Sequence, residues 1–410
     1  YADLRSRCTV GLAAADPAKA FDTLMALTGK GKPSDVVEMA LRLLGDLAGS
    51  EGLPAEQKEA AMTELLGRTK GMMNNIYYAA AIDGLERARD PRAVEPIRKL
   101  TGGMNEPAVK WAAKEALLLT FKDPAILEVV RKDAKGGMMK TDDDKYTAAT
   151  LLIRAGDAGG FAYANEQLTK KKGGFFSSNR DADYRPAIVQ VLAEYGGAQA
   201  VPALKAGLAV QKPDEWLRAY IAIAMLELGD TSAIDDVRRA LTVNTWTHTR
   251  LRAAEALAKH GDASGVPVLQ AMAQDPGFLK KAADVISGKD IDYDAMRAAI
   301  ARSLGRMNLP AAVPVLATLV ADRVEDVRLA AAYALARMSD ASALDAYPAA
   351  MAQDYGKDGG HARTPDVLAH LVRMAALQFG QDPRTKAVIE KAGASEMPTV
   401  RFLALVARTE

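Results

Sequence analysis

One cysteine, Cys8, in 410 residues leaves neither a disulfide framework nor a thiolate metal cluster to build. Histidine is almost as scarce. His248, His260, His361 and His370 form no H-x-x-x-H pair, have no adjacent glutamate and lack cysteine companions, so no zinc motif is present. Long apolar runs are missing too, and no stretch reaches the ~20 residues of a membrane-spanning helix. Neither sign of charge is in excess. The 53 Lys and Arg against 52 Asp and Glu leave +1, so no global field draws the chain to nucleic acid or anionic lipid, and any charged site must be local. Two familiar motifs of catalysis also fail. There is no G-x-S-x-G elbow, and Gly29-Lys-Gly-Lys-Pro33 has neither the spacing nor the Ser/Thr of a phosphate loop. Asp290, Asp292 and Asp294 start like a calcium loop, but Ala295 and Ala301 stand where its glycine and bidentate glutamate belong, and helix capping before Met296 accounts for them better. The sequence therefore predicts no catalytic residue, no metal and no cofactor. The chain opens at Tyr1 rather than methionine, as after removal of a leader or tag, or as a piece of something longer. A cytoplasmic and a periplasmic or exported location both remain open.

What the chain has in quantity is one repeated stretch. Glu325 to Met338 reads EDVRLAAAYALARM, and close variants occur as EWLRAYIAIAMLELGD at 215–230, TRLRAAEALAKHGD at 249–262, DAMRAAIARSLGRMN at 294–308 and DYRPAIVQVLAEYGG at 183–197. Each places apolar residues at helical spacing around a Leu or Met that lies five residues before a closing turn. Those anchors are Leu85, Leu118, Leu152, Leu192, Met225, Leu257, Leu304, Leu335 and Leu377. The shortest steps between them are 31 to 34 residues, room for two amphipathic helices, A and B, and two turns. Ala200-Val-Pro-Ala-Leu, Gly265-Val-Pro-Val-Leu and Ala312-Val-Pro-Val-Leu mark the A helices, with proline in the first turn where its missing N–H costs nothing.

These A-helix words, the Gly-Asp turns and the Arg-rich B helices resemble the HEAT-repeat family, most closely the short bacterial type known from phycobilin lyases. The resemblance covers nearly the whole chain. It implies an all-α, right-handed α-α superhelix, an α-solenoid of about ten to eleven helical hairpins. Residues 1–410 are expected to form a single solenoid with incomplete first and last repeats, since Asp3 to Ala15 and Thr399 to Glu410 both read as B helices. Ala- and Arg-rich usage points to a bacterial source. Deoxyhypusine hydroxylases share the architecture and carry His-Glu pairs for a di-iron centre, but no such pair occurs here. Bilin lyases act on a chromophore, and no catalytic residue of theirs has a matching position in this chain.

Two further patterns suggest where the chain could act. A basic residue recurs seven positions before the anchor, at Lys145, Arg185, Arg218, Arg250, Arg297 and Arg328. Stacked B helices would place these in a row, either as a cationic stripe or, as we favour, as a structural ladder paired with Asp143, Asp144, Asp183, Glu215, Asp294, Glu325 and Asp326. Only Arg250 lacks such an acidic neighbour. The longer steps come from insertions near 170–181, 275–293 and 354–364, all read as lying at the A-to-B turn and hence on one edge. In the first of them, Lys171 and Lys172 precede Phe175, Phe176 and Arg180, a pattern suited either to gripping an acidic partner or to anchoring the loop on the solenoid. Trp216, Trp246 and His248 belong to neighbouring A-to-B turns and complete the candidate binding set.

The preferred reading is a non-enzymatic scaffold that binds a protein partner through its curved face and inserted edge. A HEAT-like nucleic-acid binder would need a continuous basic groove, which the acid-paired ladder and the +1 charge oppose. A lyase-type enzyme would need an aromatic-lined pocket. Tyr77, Tyr78 and Trp111 are the cluster that could start one, and seam packing explains them more simply.

Overall fold

A computed structural model describes residues 15–70, 76–137, 140–170, 183–211, 216–242, 247–275, 292–338, 341, 344, 364–395 and 398–407. The described residues contain 21 α-helices and no strand. They divide into two compact units, residues 1–203 and 204–410.

In the first unit the helices are α1 (Pro17–Leu27), α2 (Ser34–Gly49), α3 (Ala55–Arg68), α4 (Tyr78–Ala88), α5 (Val94–Leu100), α6 (Pro107–Glu115), α7 (Pro124–Lys135), α8 (Asp142–Arg154), α9 (Ala158–Thr169) and α10 (Arg185–Tyr195). The boundary falls within α11 (Gly197–Val210). The second unit continues with α12 (Trp216–Glu227), α13 (Ile234–Thr242), α14 (Thr247–Ala258), α15 (Gly265–Gln274), α16 (Tyr293–Met307), α17 (Val313–Leu319), α18 (Glu325–Arg337), α19 (Thr364–Phe379), α20 (Pro383–Gly393) and α21 (Pro398–Ala407). Odd-numbered helices up to α17, and α20, are A helices. The even-numbered helices up to α18, with α19 and α21, are B helices. Residues 345–363, ahead of α19, lie outside the described set.

Local chemistry sets the helix ends. Asp16 accepts from the Lys19 N–H at 3.0 Å in front of Pro17, and Thr141 with Asp144 forms a reciprocal capping box on α8. Asp292 caps α16 through the Asp294 and Ala295 N–H groups, as its sequence context predicts, while Asp290 lies outside the described residues. One proline departs from expectation. Because α11 starts at Gly197, Pro202 sits inside that helix rather than in its first turn.

Side chains at the anchor positions fill the seam between layers. Leu85, Leu152, Leu192, Leu257, Leu304 and Leu335 are fully buried, and Leu118 and Met225 nearly so, each contributing on the order of 2 kcal/mol. Leu377 does not follow them and is 58% exposed. B helices pack on B helices, α2 to α4, α6 and α8 to α10 in the first unit, and α12 through α14, α16, α18 and α19 to α21 in the second. The tightest approaches use residues with almost no side chain. A Cβ on Gly45 would lie 2.0 Å from the Gly84 carbonyl oxygen between α2 and α4, and one on Gly305 would lie 2.6 Å from the Ala334 Cβ between α16 and α18.

Candidate interaction surface

Two sites of the expected edge can be followed in side-chain detail. Lys171, Lys172, Phe175, Phe176, Arg180 and Trp246 lie outside the described residues, as do nearly all of the three insertions. Trp216 and His248 are described, and Tyr220 joins them. The Trp216 ring meets Tyr220 edge-on at 5.6 Å, and Tyr220 meets His248 edge-on at 5.9 Å, with its hydroxyl hydrogen-bonded to His248 Nε2. Arg252 lies 5.9 Å from the Tyr220 ring and donates to Glu227 at 2.7 Å. Tyr220 escaped the sequence reading, although one helical turn separates it from Trp216. The flanks of the 170–181 insertion also come together. Lys170 and Tyr184 line a cavity of about 680 Å³ with Arg131, Lys135, Lys145 and Tyr163. Tyr184 stacks on Tyr146 at 4.9 Å and donates to Asp143, and that bond pushes its hydroxyl pKa up to about 12.

In the basic column Lys145, Arg185 and Arg297 each pair with an acid two or three residues upstream, while Arg218 and Arg328 also reach acceptors farther away. Lys145 pairs with Asp142 at 2.8 Å, while Asp144 is taken by the capping box. Arg185 grips Asp183 at 2.6 Å. Arg218 clamps both oxygens of Asp236 on α13, at 2.9 and 2.8 Å, and donates to the carbonyls of Leu208 and Gln211. Arg297 bridges Asp294 and Asp322 beneath the Tyr293 ring. Arg328 donates to the carbonyls of Asp322 and Arg323 at 2.8 and 3.1 Å. Arg250, Arg297 and Arg328 are all buried. A guanidinium removed from water is stable only with such partners around it.

A second ladder was missed. Four closing-turn aspartates each cap the next A helix and also hold a cation from the A helix before it, whereas Asp90 and Asp382 cap the next helix and pair with its own Arg92 and Arg384. Asp123 accepts from Ala125 N–H at 2.9 Å and from Arg98 at 2.8 Å, and Asp157 from Gly159 N–H and Arg131. In the second unit Asp230 pairs with Lys205 at 2.7 Å and accepts from Ser232 N–H, and Asp262 serves Arg238 and Ser264 likewise. The Lys205 ammonium first, and Ser232 after it, hold the Asp230 carboxyl down at about 2. The hydrogen-bonded arginine pairs are separated by 24 to 26 residues, a spacing that was readable in the sequence.

The solvent face of the B layer differs between the units. Around the Gly45–Gly84 contact stand Arg42 and Asp46 on α2 and Asp83 and Arg87 on α4. They form a closed set, Arg42 to Asp83 at 3.0 Å, Arg87 to Asp83 at 2.7 Å and Arg87 to Asp46 at 3.1 Å. The register-equivalent positions around the Gly305–Ala334 contact are Arg302 and Arg306 on α16 and Tyr333 and Arg337 on α18. Arg306 pairs with Glu255 on α14 at 2.6 Å. Among the described residues Arg302 and Arg337 have no ion-pair partner. Elsewhere Tyr78 is buried, and Tyr77 and Trp111 pack beside it under Arg68 and Lys114. Among the described residues no group of three or more His, Cys, Asp or Glu could hold a metal, and no helix is long and apolar enough to cross a membrane.

Paired A and B helices, stacked B on B and locked at their turns, define a helical-hairpin repeat protein, an α-solenoid. The family model for HEAT repeats matches residues 207–286 and 290–356 of it. Comparison with curated proteins finds no significant match. Among solved structures the chain is similar to one in the structure describing Kap95p binding to RanGDP, at 11% identity over 99% of this chain and TM-score 0.45, and it spans 59% of that chain's length. It is similar to an engineered protein at 19% identity, covering 90% of this chain and 98% of that one, TM-score 0.34. Human deoxyhypusine hydroxylase in complex with glycerol is similar at 17% identity, covering 74% and 98%, TM-score 0.24. At these scores and identities no function is carried across.

Proposed function

We propose that this chain is a non-enzymatic protein-binding scaffold, a continuous run of repeats over residues 1–410 that uses the B-layer face and the A-to-B edge. The observation that carries the reading is the chemistry at the A-to-B turns. Those before α10, α12 and α14 lead into Tyr184, Trp216 and His248, partly or largely exposed side chains on rigid helix starts. Amphipathic rings held by a scaffold give contact area at low entropic cost, which is why they are enriched where proteins meet. Lys171, Lys172, Phe175, Phe176, Arg180 and Trp246 extend that edge in this reading, and the buried arginine column serves the stack. The test is capture from native extract by the intact chain and by a variant with Lys171, Lys172, Phe175, Phe176 and Trp246 changed to alanine, with helicity checked by circular dichroism. The intact chain is expected to retain a specific protein that the variant loses. Recovery of no protein by the intact chain overturns the scaffold, and equal recovery by both moves the binding away from this edge.

A further inference from the structure

The α16–α18 quartet gathers three arginines on the second unit's B face, of which Arg306 alone has an ion-pair partner among the described residues. Arg302, Arg306 and Arg337 are exposed, and the Tyr333 ring is 36% exposed between them. Gly305 and Ala334 bring the two helices into backbone contact, so the four side chains project from adjoining helices with little between them. One carboxylate, Glu255, is fully committed, accepting from Arg306 at 2.6 and 2.9 Å and from the Ser303 hydroxyl at 2.6 Å. Asp326 acts on Arg302 at longer range, while burial first and then repulsion from Arg306 lower the Arg302 pKa. Among the described residues, three guanidinium groups thus share a small surface with one paired carboxylate, Glu255.

The first unit shows what completes such a quartet. At the same register Asp46 and Asp83 stand between Arg42 and Arg87 and pair with them, and Glu38 adds a third carboxylate to Arg42. In the second unit the corresponding positions are Arg306 and Tyr333. We infer that the α16–α18 face binds an acidic segment of a partner protein, whose Asp or Glu carboxylates bridge Arg302 and Arg337 while its chain lies on the Tyr333 ring. Guanidinium forks match carboxylates two bonds at a time, which gives such a site orientation as well as attraction. A phosphate backbone is disfavoured. Tracking along the neighbouring B helices, it would meet Glu255 on α14 and Glu227 on α12, whereas a short acidic segment needs only the α16–α18 pair. This inference rests on the scaffold reading and names its partner chemistry.

The test is fluorescence anisotropy of a labelled oligoglutamate peptide titrated with the full chain, with oligoglutamine and single-stranded oligothymidine as comparators. Oligoglutamate is expected to bind in a salt-sensitive way. Arg302→Gln and Arg337→Gln should each weaken it by about fivefold, and Arg87→Gln, at the closed quartet, should leave it unchanged. Tyr333→Asp should weaken it more than either, because it places a carboxylate of the chain itself between the arginines. Absence of binding, or equal binding by all four variants, overturns the site. Tighter binding of oligothymidine that depends on the same arginines overturns the acidic-protein assignment. Either failure leaves the scaffold reading standing as long as the intact chain still retains a protein from extract.

Discussion

Between α2 and α4, and again between α16 and α18, two B helices meet at a residue pair with almost no side chain, and the positions flanking the contact occupy the same register. In the first unit those positions carry Arg42, Asp46, Asp83 and Arg87, which neutralise one another. In the second they carry Arg302, Arg306, Tyr333 and Arg337, which cannot. The backbone solution is common and the side-chain outcome opposite. What a hairpin repeat needs in order to stack is therefore confined to its seam, and the flanking positions are left to vary with whatever the surface must do. Closure of the first quartet stabilises a stack. The second quartet leaves Arg302 and Arg337 with no ion-pair partner among the described residues.

The largest effect on this comparison comes from breaking the common part. Gly45→Ala places a Cβ 2.0 Å from the Gly84 carbonyl oxygen, against backbone that cannot move aside without parting α2 from α4. A loss of about 3 kcal/mol is expected, at the upper end of overpacking costs. Gly305→Ala meets the Ala334 methyl at 2.6 Å instead and should cost about half as much. Hydrogen exchange on the amides of α2 and α4, compared with those of α16 and α18, reads both. Equal protection in Gly45→Ala and the unmodified chain would show that the contact is looser than its geometry.

Exchanging the variable part has a smaller effect. Asp83→Arg removes the pairs with Arg42 and Arg87 and creates three neighbouring cations, turning the first quartet into a likeness of the second. Its members are a third to a half exposed, so the expected loss is about 1 kcal/mol. Tyr333→Asp runs the other way and should raise the second unit's stability by about 0.5 kcal/mol, provided the new carboxylate reaches Arg302 or Arg337. Urea denaturation of both variants at low and high salt checks the pair, and the differences should shrink as salt screens the charges.

The repeat was legible because its signals are local. Helical periodicity, turn aspartates and early prolines each act within a few residues, and the anchors from Leu85 to Leu335 are buried where that pattern puts them. What could not be read depends on which helix lies beside which. The partner of Arg218 is Asp236 on the following A helix, reached only after the chain has turned back. Tyr220 matters because α14 brings His248 to it, and neither residue says so alone. Leu377 fits the pattern of a buried anchor and is nevertheless exposed, since periodicity specifies a face but not what covers it. The quartets belong to the same class, for their contrast appears only when α2 with α4 and α16 with α18 are set in register.

The smallest effect expected concerns the lock that neither quartet touches, the turn aspartate that caps one A helix and holds a cation from the one before. Asp230 has its carboxyl lowered from 3.8 to about 2, chiefly by Lys205 and then by Ser232. A folded-state pKa below the unfolded value means the charge stabilises the fold above about pH 4, and that this contribution is lost as pH falls toward 2. Asp230→Asn keeps an oxygen to accept from the Ser232 N–H and removes only the charge. The variant should therefore be less stable by about 0.5 kcal/mol at neutral pH and indistinguishable from the unmodified chain near pH 2. Lys205→Gln should reproduce that profile without altering the cap. A difference that persists unchanged down to pH 2 would assign the effect of Asp230 to its hydrogen bond with Ser232 instead, and the turn aspartates would then act as helix caps with no share in fixing one repeat against the next.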